Sequence, residues 1–210
     1  MSKDLTESKV IAALDWAYEK AVNGVAGLDS AQEIAQGYKK PNQTPYEQAN
    51  SLIRWQNAKA GTSGFITGLG GFLVMPVTIP ANLASVMYVQ IRMIAAIAHL
   101  GGYDLRDDKV KTLVYSCMAG NAAKDILKDV GIQIGKKVTQ NAIKNISKST
   151  ITAINRRVGF RLLTKFGEKG VVNLGKAIPL LGGVIGATFD ITSTNLIGNI
   201  ARDAFTPKND

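Results

Sequence analysis

The chain has 210 residues, of which 46% are hydrophobic and 20% charged, a composition typical of one folded domain and unlike that of disordered chains. A single cysteine excludes an internal disulfide and a single histidine leaves no Cys/His cluster, so we expect a reducing compartment, no metal site and no cofactor. The formal net charge is +9, and residues 111–176 hold the whole surplus, with thirteen basic and three acidic side chains.

The N-terminus predicts a cytoplasmic protein with an amphipathic first helix. Residues 1–9 mix charges and contain no apolar stretch, so they do not resemble a secretory signal. Apolar residues recur at three- and four-residue steps over residues 5–25, with Asp4 and Glu7 placed like an N-cap and its N3 partner. We expect this helix to end near Gly24.

Two capping boxes predict the next helix starts. Ser30 and Glu33 have the spacing of an N-cap and its N3 partner, and so do Thr44 and Glu47. Pro45 occupies the first helical position of the second box, where the missing N–H carries no cost. We therefore take residues 1–44 as an N-terminal helical extension and residues 45–205 as the core of a single domain.

A long apolar segment follows. No charged residue occurs from Ala60 to Ile91, and Pro76 and Pro80 divide the segment, which predicts two helices over 60–75 and 81–100 joined by the sequence MPVTIP. Neither helix suits a stable membrane span, because the first has 16 residues and the second contains an arginine. The fold class is therefore all-α, a compact helical bundle with a buried glycine- and proline-rich apolar hairpin.

The remaining elements are also predicted to be helical. Asp107 and Asp108 provide an acidic first turn for a helix that runs through Met118. Glycines at positions 131, 135, 159, 167 and 170 predict short interrupted helices between residues 125 and 176. A last helix is expected within residues 177–205.

Several segments in order resemble the EcsC protein family. They are GFITGLGG at 64–71, two prolines at 76 and 80, QIR at 90–92, AHLGGYD at 98–104, and IPLLGG at 178–183 with Phe189 and Asp190 after it. The resemblance implies no activity that transfers to named residues. Because the family takes its name from a protein encoded beside an ABC transporter, the resemblance implies a membrane protein complex as a partner.

The glycine-rich run does not predict a nucleotide site. A P-loop requires a lysine and a hydroxyl residue after its last glycine, and Phe72 and Leu73 stand there instead. Small residues at four-residue steps let helices approach closely. The predicted close-packing positions are Gly64, Gly68, Gly71, Gly182 and Gly186.

Polar residues within the apolar segments form a second candidate group: Gln90, Arg92, His99, Asp104 and Asp190. Arg92 and His99 are seven residues apart and share a helix face. A buried arginine requires a partner, so we expect an ion pair from Arg92 to Asp104 or Asp190 that ties the helices together. The alternative is a polar site in which His99 acts as a general acid or base.

The basic block provides the candidate contact surface, through Lys136, Lys137, Lys144, Lys148, Arg156, Arg157, Arg161 and Lys165. A solvated face, an anionic lipid surface and a nucleic acid are the three interpretations. Nucleic acid ranks last because the block has few aromatic residues for base stacking. Lipid ranks above it because apolar segments adjoin the charge, and peripheral membrane binding uses both.

These patterns favour a non-catalytic cytoplasmic protein, peripheral at the inner membrane, that binds anionic lipid or a membrane complex through its basic face. Two alternatives remain open. One is a membrane-permeabilising protein whose glycine-rich hairpin inserts, and the other is a hydrolase-like enzyme that acts on a lipid or other anionic substrate through His99.

Overall fold

The computed structural model describes residues 5–25, 27–60, 81–136, 138–166 and 184–208. In these ranges the chain forms nine α-helices and no strand, which confirms the predicted all-α fold. In chain order the helices are α1 (Glu7–Asn23), α2 (Ala31–Tyr38), α3 (Pro45–Ala60), α4 (Ala81–Leu100), α5 (Asp108–Met118), α6 (Ala123–Lys128), α7 (Gln140–Lys144), α8 (Lys148–Phe166) and α9 (Val184–Phe205).

Helix α4 is the centre of the bundle. It packs against α1, α2, α3, α5 and α9, and every side chain from Met87 to Ala98 is buried. A helix that is apolar on all sides is stable in water only when other helices surround it. The second helix of the predicted hairpin is therefore found at its predicted bounds, as a core element.

Local capping sets most helix starts as the sequence predicts. The Ser30 hydroxyl accepts from the Glu33 amide at 3.2 Å, and Glu33 accepts from the Ser30 amide at 2.8 Å. Thr44 and Glu47 make the same reciprocal pair at α3. The start of α1 differs from the prediction, because the Thr6 hydroxyl accepts from the Lys9 amide at 3.3 Å and Thr6 is the N-cap.

One predicted helix break is absent. Helix α8 runs without interruption through Gly159, where short glycine-interrupted helices were expected. A Cβ at this glycine would lie 2.8 Å from Glu7 Cγ and 3.1 Å from Ile11 Cδ1. Gly159 therefore permits the close approach of α8 and α1 and does not end the helix.

Another buried glycine has the same function between α9 and α3. A Cβ at Gly198 would lie 2.9 Å from Ile53 Cγ1 and 3.2 Å from Met93 Cε. Of the predicted close-packing glycines, Gly186 lies within α9, and the other four lie outside the described residues.

The first half of the predicted hairpin, the MPVTIP junction and residues 177–183 also lie outside the described part of the chain. Among the helices that are described, none combines the length and apolarity needed to cross a membrane.

Candidate functional site

Arg92 is a buried cation near the middle of α4, with 4% of its surface exposed. Its Nη1 donates a 3.1 Å hydrogen bond to the backbone carbonyl of Asp29, and the guanidinium carbon lies 5.1 Å from the Tyr88 ring centroid. Among the side chains that the structure describes, no carboxylate forms an ion pair with Arg92. The described contacts of Arg92 are thus a carbonyl and an aromatic face, and of the two predicted carboxylates only Asp104 can be compared.

Two of the other polar core candidates, Asp104 and Gln90, have hydrogen-bond partners other than Arg92. Asp104 is exposed, and its Oδ1 accepts from the Arg106 amide at 2.9 Å in the turn after α4. Gln90 faces α9, where its Nε2 donates to Thr194 Oγ1 at 3.3 Å. Asp190 lies in α9, but its side chain is outside the described part of the structure.

His99 lies two helical turns after Arg92 on the continuous helix α4, as predicted. Partial burial lowers the pKa of His99, and the nearby Lys39 ammonium lowers it further. Both effects favour the neutral imidazole near pH 7. Within the described residues, no side chain forms a hydrogen bond with the imidazole, so His99 has there no orienting partner of the kind that catalytic histidines use.

A cleft of about 530 Å³ opens beside Arg92, between α2 and α3. The Arg92 side chain and Gln56 contribute to its lining, together with Trp55, Tyr38 and Ile34. Gln56 is 4% exposed, whereas Trp55 is 51% exposed. The cleft therefore has buried polar groups and an accessible aromatic wall.

Two buried polar atoms of residues that line this cleft, Arg92 Nε and Gln56 Oε1, lack hydrogen-bond partners. Tyr88 lies outside the lining, and its ring packs against the Arg92 guanidinium. Burial raises the pKa of Tyr88, while the adjacent Arg92 guanidinium acts in the opposite direction by its charge and by hydrogen bonding. Unsatisfied buried groups are few in folded proteins, so those of Arg92 and Gln56 require an explanation.

The basic block is distributed over several elements. Six of its residues are exposed: Lys136, Lys144, Lys148, Arg156, Arg157 and Arg161. Lys165 is only partly exposed, because its Nζ donates to Ser193 Oγ at 3.0 Å and lies 4.9 Å from the Phe166 ring centroid. Lys137 lies outside the described residues.

Helix α8 carries the densest part of this charge. It contains five basic residues and no acidic one. Four exposed side chains on its solvent-facing side, Arg156, Arg157, Phe160 and Arg161, form what we name the α8 outer face, and Lys148 is exposed at the N-terminal end of the helix. Phe160 is 60% exposed, the most exposed large apolar side chain among the described residues. The α8 outer face therefore combines cations with an unburied aromatic ring.

Carboxylates flank one side of this face. Arg157 forms an ion pair with Asp129, and Glu7 and Asp125 line the same shallow cleft of about 610 Å³ beside Phe160. Arg156 and Arg161 also line this cleft, and no described ion pair includes either of them. Three acidic residues thus line this cleft with three arginines, and Arg156 and Arg161 are the two arginines without a described ion pair.

Sequence reasoning did not identify Gln56 and Trp55, and it counted Phe160 only among the few aromatic residues of the basic block. Gln56 follows Leu52 and Ile53 by one helical turn, so helical spacing could have placed it on the buried face of α3, but the sequence does not show that a cleft lies there. For Phe160, helical spacing gives a usable signal, since Arg156, Arg157 and Arg161 all lie within four residues of it.

A family model described as the EcsC protein family matches residues 4–207. No curated protein and no solved structure matches the chain.

Proposed function

Because the chain belongs to the EcsC protein family, whose membership assigns no reaction, we propose a function from the surface chemistry: non-catalytic binding of an anionic membrane surface through the α8 outer face. The observation that carries this proposal is Phe160, exposed in the middle of a run of arginines. An exposed aromatic ring gives the folded protein none of the stabilisation that burial would give, whereas the membrane interface favours such a ring.

The geometry of α8 suits a helix that lies on a membrane. Arg156, Phe160, Arg157 and Arg161 lie within an arc of about 140° around the helix axis, whereas Lys148 points outside this arc. Arg156 and Phe160 are separated by one helical turn, as are Arg157 and Arg161. The ring and the guanidinium groups can therefore meet the headgroup layer together, with the opposite side of α8 held by α1 and α5.

Electrostatic and apolar contributions are both needed. Each cation near an anionic surface contributes about 1 kcal/mol, and this attraction is screened beyond about 10 Å at 0.1 M salt. Burial of an aromatic side chain contributes about 1.5–3 kcal/mol when it is complete. Arg156, Arg161 and a partly inserted Phe160 thus supply a weak, salt-sensitive affinity, as expected of a peripheral protein.

Vesicle sedimentation tests the charge contribution. The double variant Arg156→Gln/Arg161→Gln should bind anionic vesicles roughly thirtyfold more weakly, since two cations contribute about 2 kcal/mol. The matched control is Lys39→Gln/Arg54→Gln, which removes the same charge from exposed positions after α2 and on α3. Equal loss of vesicle binding in both double variants would show that binding depends on net charge and not on the α8 outer face.

Phe160→Ala tests the apolar contribution. It should weaken binding roughly tenfold and leave the melting temperature unchanged, because the ring is exposed in the folded protein. Trp55→Ala, which removes an exposed ring from α3, is the control and should bind like the unaltered chain. Recovery of the unaltered chain in the supernatant with anionic vesicles at low salt would refute the proposal. Release of a trapped dye would favour the permeabilising alternative.

A further inference from the structure

We propose that the cleft between α2 and α3, with Arg92 and Gln56 in its lining, binds a small molecule that carries a carboxylate or phosphate on an aromatic or aliphatic body. This site is separate from the α8 outer face and does not depend on the proposed membrane function. Its volume of about 530 Å³ lies within the range typical of small-molecule sites.

The hydrogen bonding of Arg92 indicates an oxyanion. Nη1 is engaged by the Asp29 carbonyl, while Nε has no partner although Arg92 is 4% exposed. The edge that carries Nε and Nη2 is one of the two edges with which a guanidinium donates two parallel hydrogen bonds to a carboxylate or phosphate. The protein uses the Nη1 side to hold the guanidinium in place. Because Nε is buried in the unliganded structure, the Arg92 side chain must shift for a ligand oxyanion to complete the other side.

Gln56 adds a second requirement. Its Oε1 is buried and lacks a hydrogen-bond donor, so a ligand that reaches it is expected to carry an N–H or O–H group. A protonated phosphate oxygen or a neighbouring hydroxyl or amine group has this chemistry. The pairing of one donor with one acceptor favours a ligand with both functions over a simple anion.

The walls of the cleft suit the aromatic or aliphatic body of the ligand. Ile34, Tyr38 and the half-exposed Trp55 provide apolar and aromatic surface. Two carboxyl-bearing residues, Asp29 and Glu33, also line the cleft. Lys40 offsets the negative charge of one of them, and the Glu33 carboxylate is already hydrogen-bonded to Ser30. An aromatic or aliphatic body can therefore lie along α2 and α3 while its oxyanion reaches Arg92.

The most direct test follows the Arg92 Nε–H resonance of the full chain by NMR, assigned by its absence in Arg92→Lys. Salicylate and phenyl phosphate are the probes, with inorganic phosphate and benzyl alcohol as controls for the missing body and the missing charge. We expect the resonance to shift and saturate with salicylate, phenyl phosphate or both, and the comparison identifies which oxyanion is preferred. Each control should bind at least tenfold more weakly. If neither aromatic anion shifts the resonance, the proposal is wrong and the cleft holds only water.

Variants separate ligand binding from a structural role. Arg92→Lys keeps the charge but loses the two-donor edge, and its affinity, followed through the backbone amide resonances of the cleft, should fall at least tenfold. Gln56→Met removes the unpaired acceptor, so we expect weaker binding with an unchanged or higher unfolding midpoint. Gln43→Met is the matched control, because its Oε1 is also unpartnered but Gln43 does not line the cleft. Unchanged affinity in Gln56→Met and Arg92→Lys would overturn the assignment.

The two proposals fail independently. Arg156→Gln/Arg161→Gln should leave binding of the aromatic anions unchanged, and Arg92→Lys should leave vesicle binding unchanged. Loss of both activities in either variant would contradict the separation of the sites.

Discussion

Replacement of Gly198 by alanine tests the helix packing that holds the Arg92 cleft in place. Gly198 lies on α9 where α3 and α4 meet, and Ile53 and Met93 are its nearest neighbours across the interface. Ile53 precedes the cleft residues Trp55 and Gln56 on α3, and Met93 follows Arg92 on α4. A change in the packing of α9 against α3 and α4 at this point would displace both sides of the cleft.

Two opposing effects determine the magnitude. Alanine is about 1 kcal/mol more favourable than glycine inside a helix. The new Cβ would lie 2.9 Å from Ile53 Cγ1 and 3.2 Å from Ile53 Cγ2, and the branched Ile53 side chain has little freedom to move. Overpacking of this kind costs about 1–3 kcal/mol, so Gly198→Ala should range from neutral to about 2 kcal/mol less stable.

Gly37→Ala is the matched control. Gly37 is also helical, in α2, but no atom lies within 4 Å of the position where its Cβ would be. It should gain up to about 1 kcal/mol, so the two variants should differ by about 1–3 kcal/mol. In a chain of this size each kcal/mol corresponds to about 2–4 °C in Tm.

Urea unfolding followed by circular dichroism measures the difference. Ile53→Ala should cost about 2–5 kcal/mol by itself, but in that background the Gly198→Ala change should become as favourable as Gly37→Ala, because both Cγ atoms are gone. If Gly198→Ala is as stable as Gly37→Ala with Ile53 intact, the close approach of α9 and α3 is incorrect.

Three further predictions follow from buried or partly buried groups. Cys117 is fully buried and burial raises its pKa to about 12, so a thiol reagent should modify it only after unfolding, and rapid labelling of the native protein would contradict this placement. His99, the single histidine, should titrate below the ordinary pKa of about 6.5, and Lys39→Gln should raise the NMR midpoint. Because the unfolded chain then binds more protons, His99 should lower stability as the pH falls through the interval from about 6.5 to the folded-state pKa, a dependence that His99→Gln should remove. Tyr18→Phe should cost about 1–3 kcal/mol in urea unfolding, since the Tyr18 hydroxyl donates a buried 2.8 Å hydrogen bond to the Leu105 carbonyl, and an unchanged midpoint would show that water replaces it.

Features that depend on neighbouring residues were predictable from the sequence. The capping boxes at Ser30 and Thr44 set the starts of α2 and α3, because side-chain and backbone groups three residues apart satisfy each other. The bounds of α4 followed from a proline before it and a pair of glycines after it. The family resemblance, based on the order of several short motifs, agrees with the family match over residues 4–207.

Contacts between distant residues were not predictable in this way. The rule that a buried arginine needs a partner was sound, but the partner is a backbone carbonyl 63 positions away in the chain, and any carbonyl of the chain carries the same chemistry. The effect of Gly159 likewise depends on α1 lying against it, since an isolated helix would be weakened there.

The sequence by itself therefore determined that this protein is an all-α bundle with an apolar helix over residues 81–100, and that its positive charge is concentrated in one part of the chain. Hydrophobic periodicity, helix caps and charge counts depend only on residues close together in the chain, so the sequence is enough to identify them. Only the tertiary structure decided that Phe160 faces water among arginines while Lys165 turns towards α9, and that Arg92 and Gln56 line the same cleft. The physical reason is that burial and unsatisfied hydrogen bonds arise only when helices distant in sequence pack together.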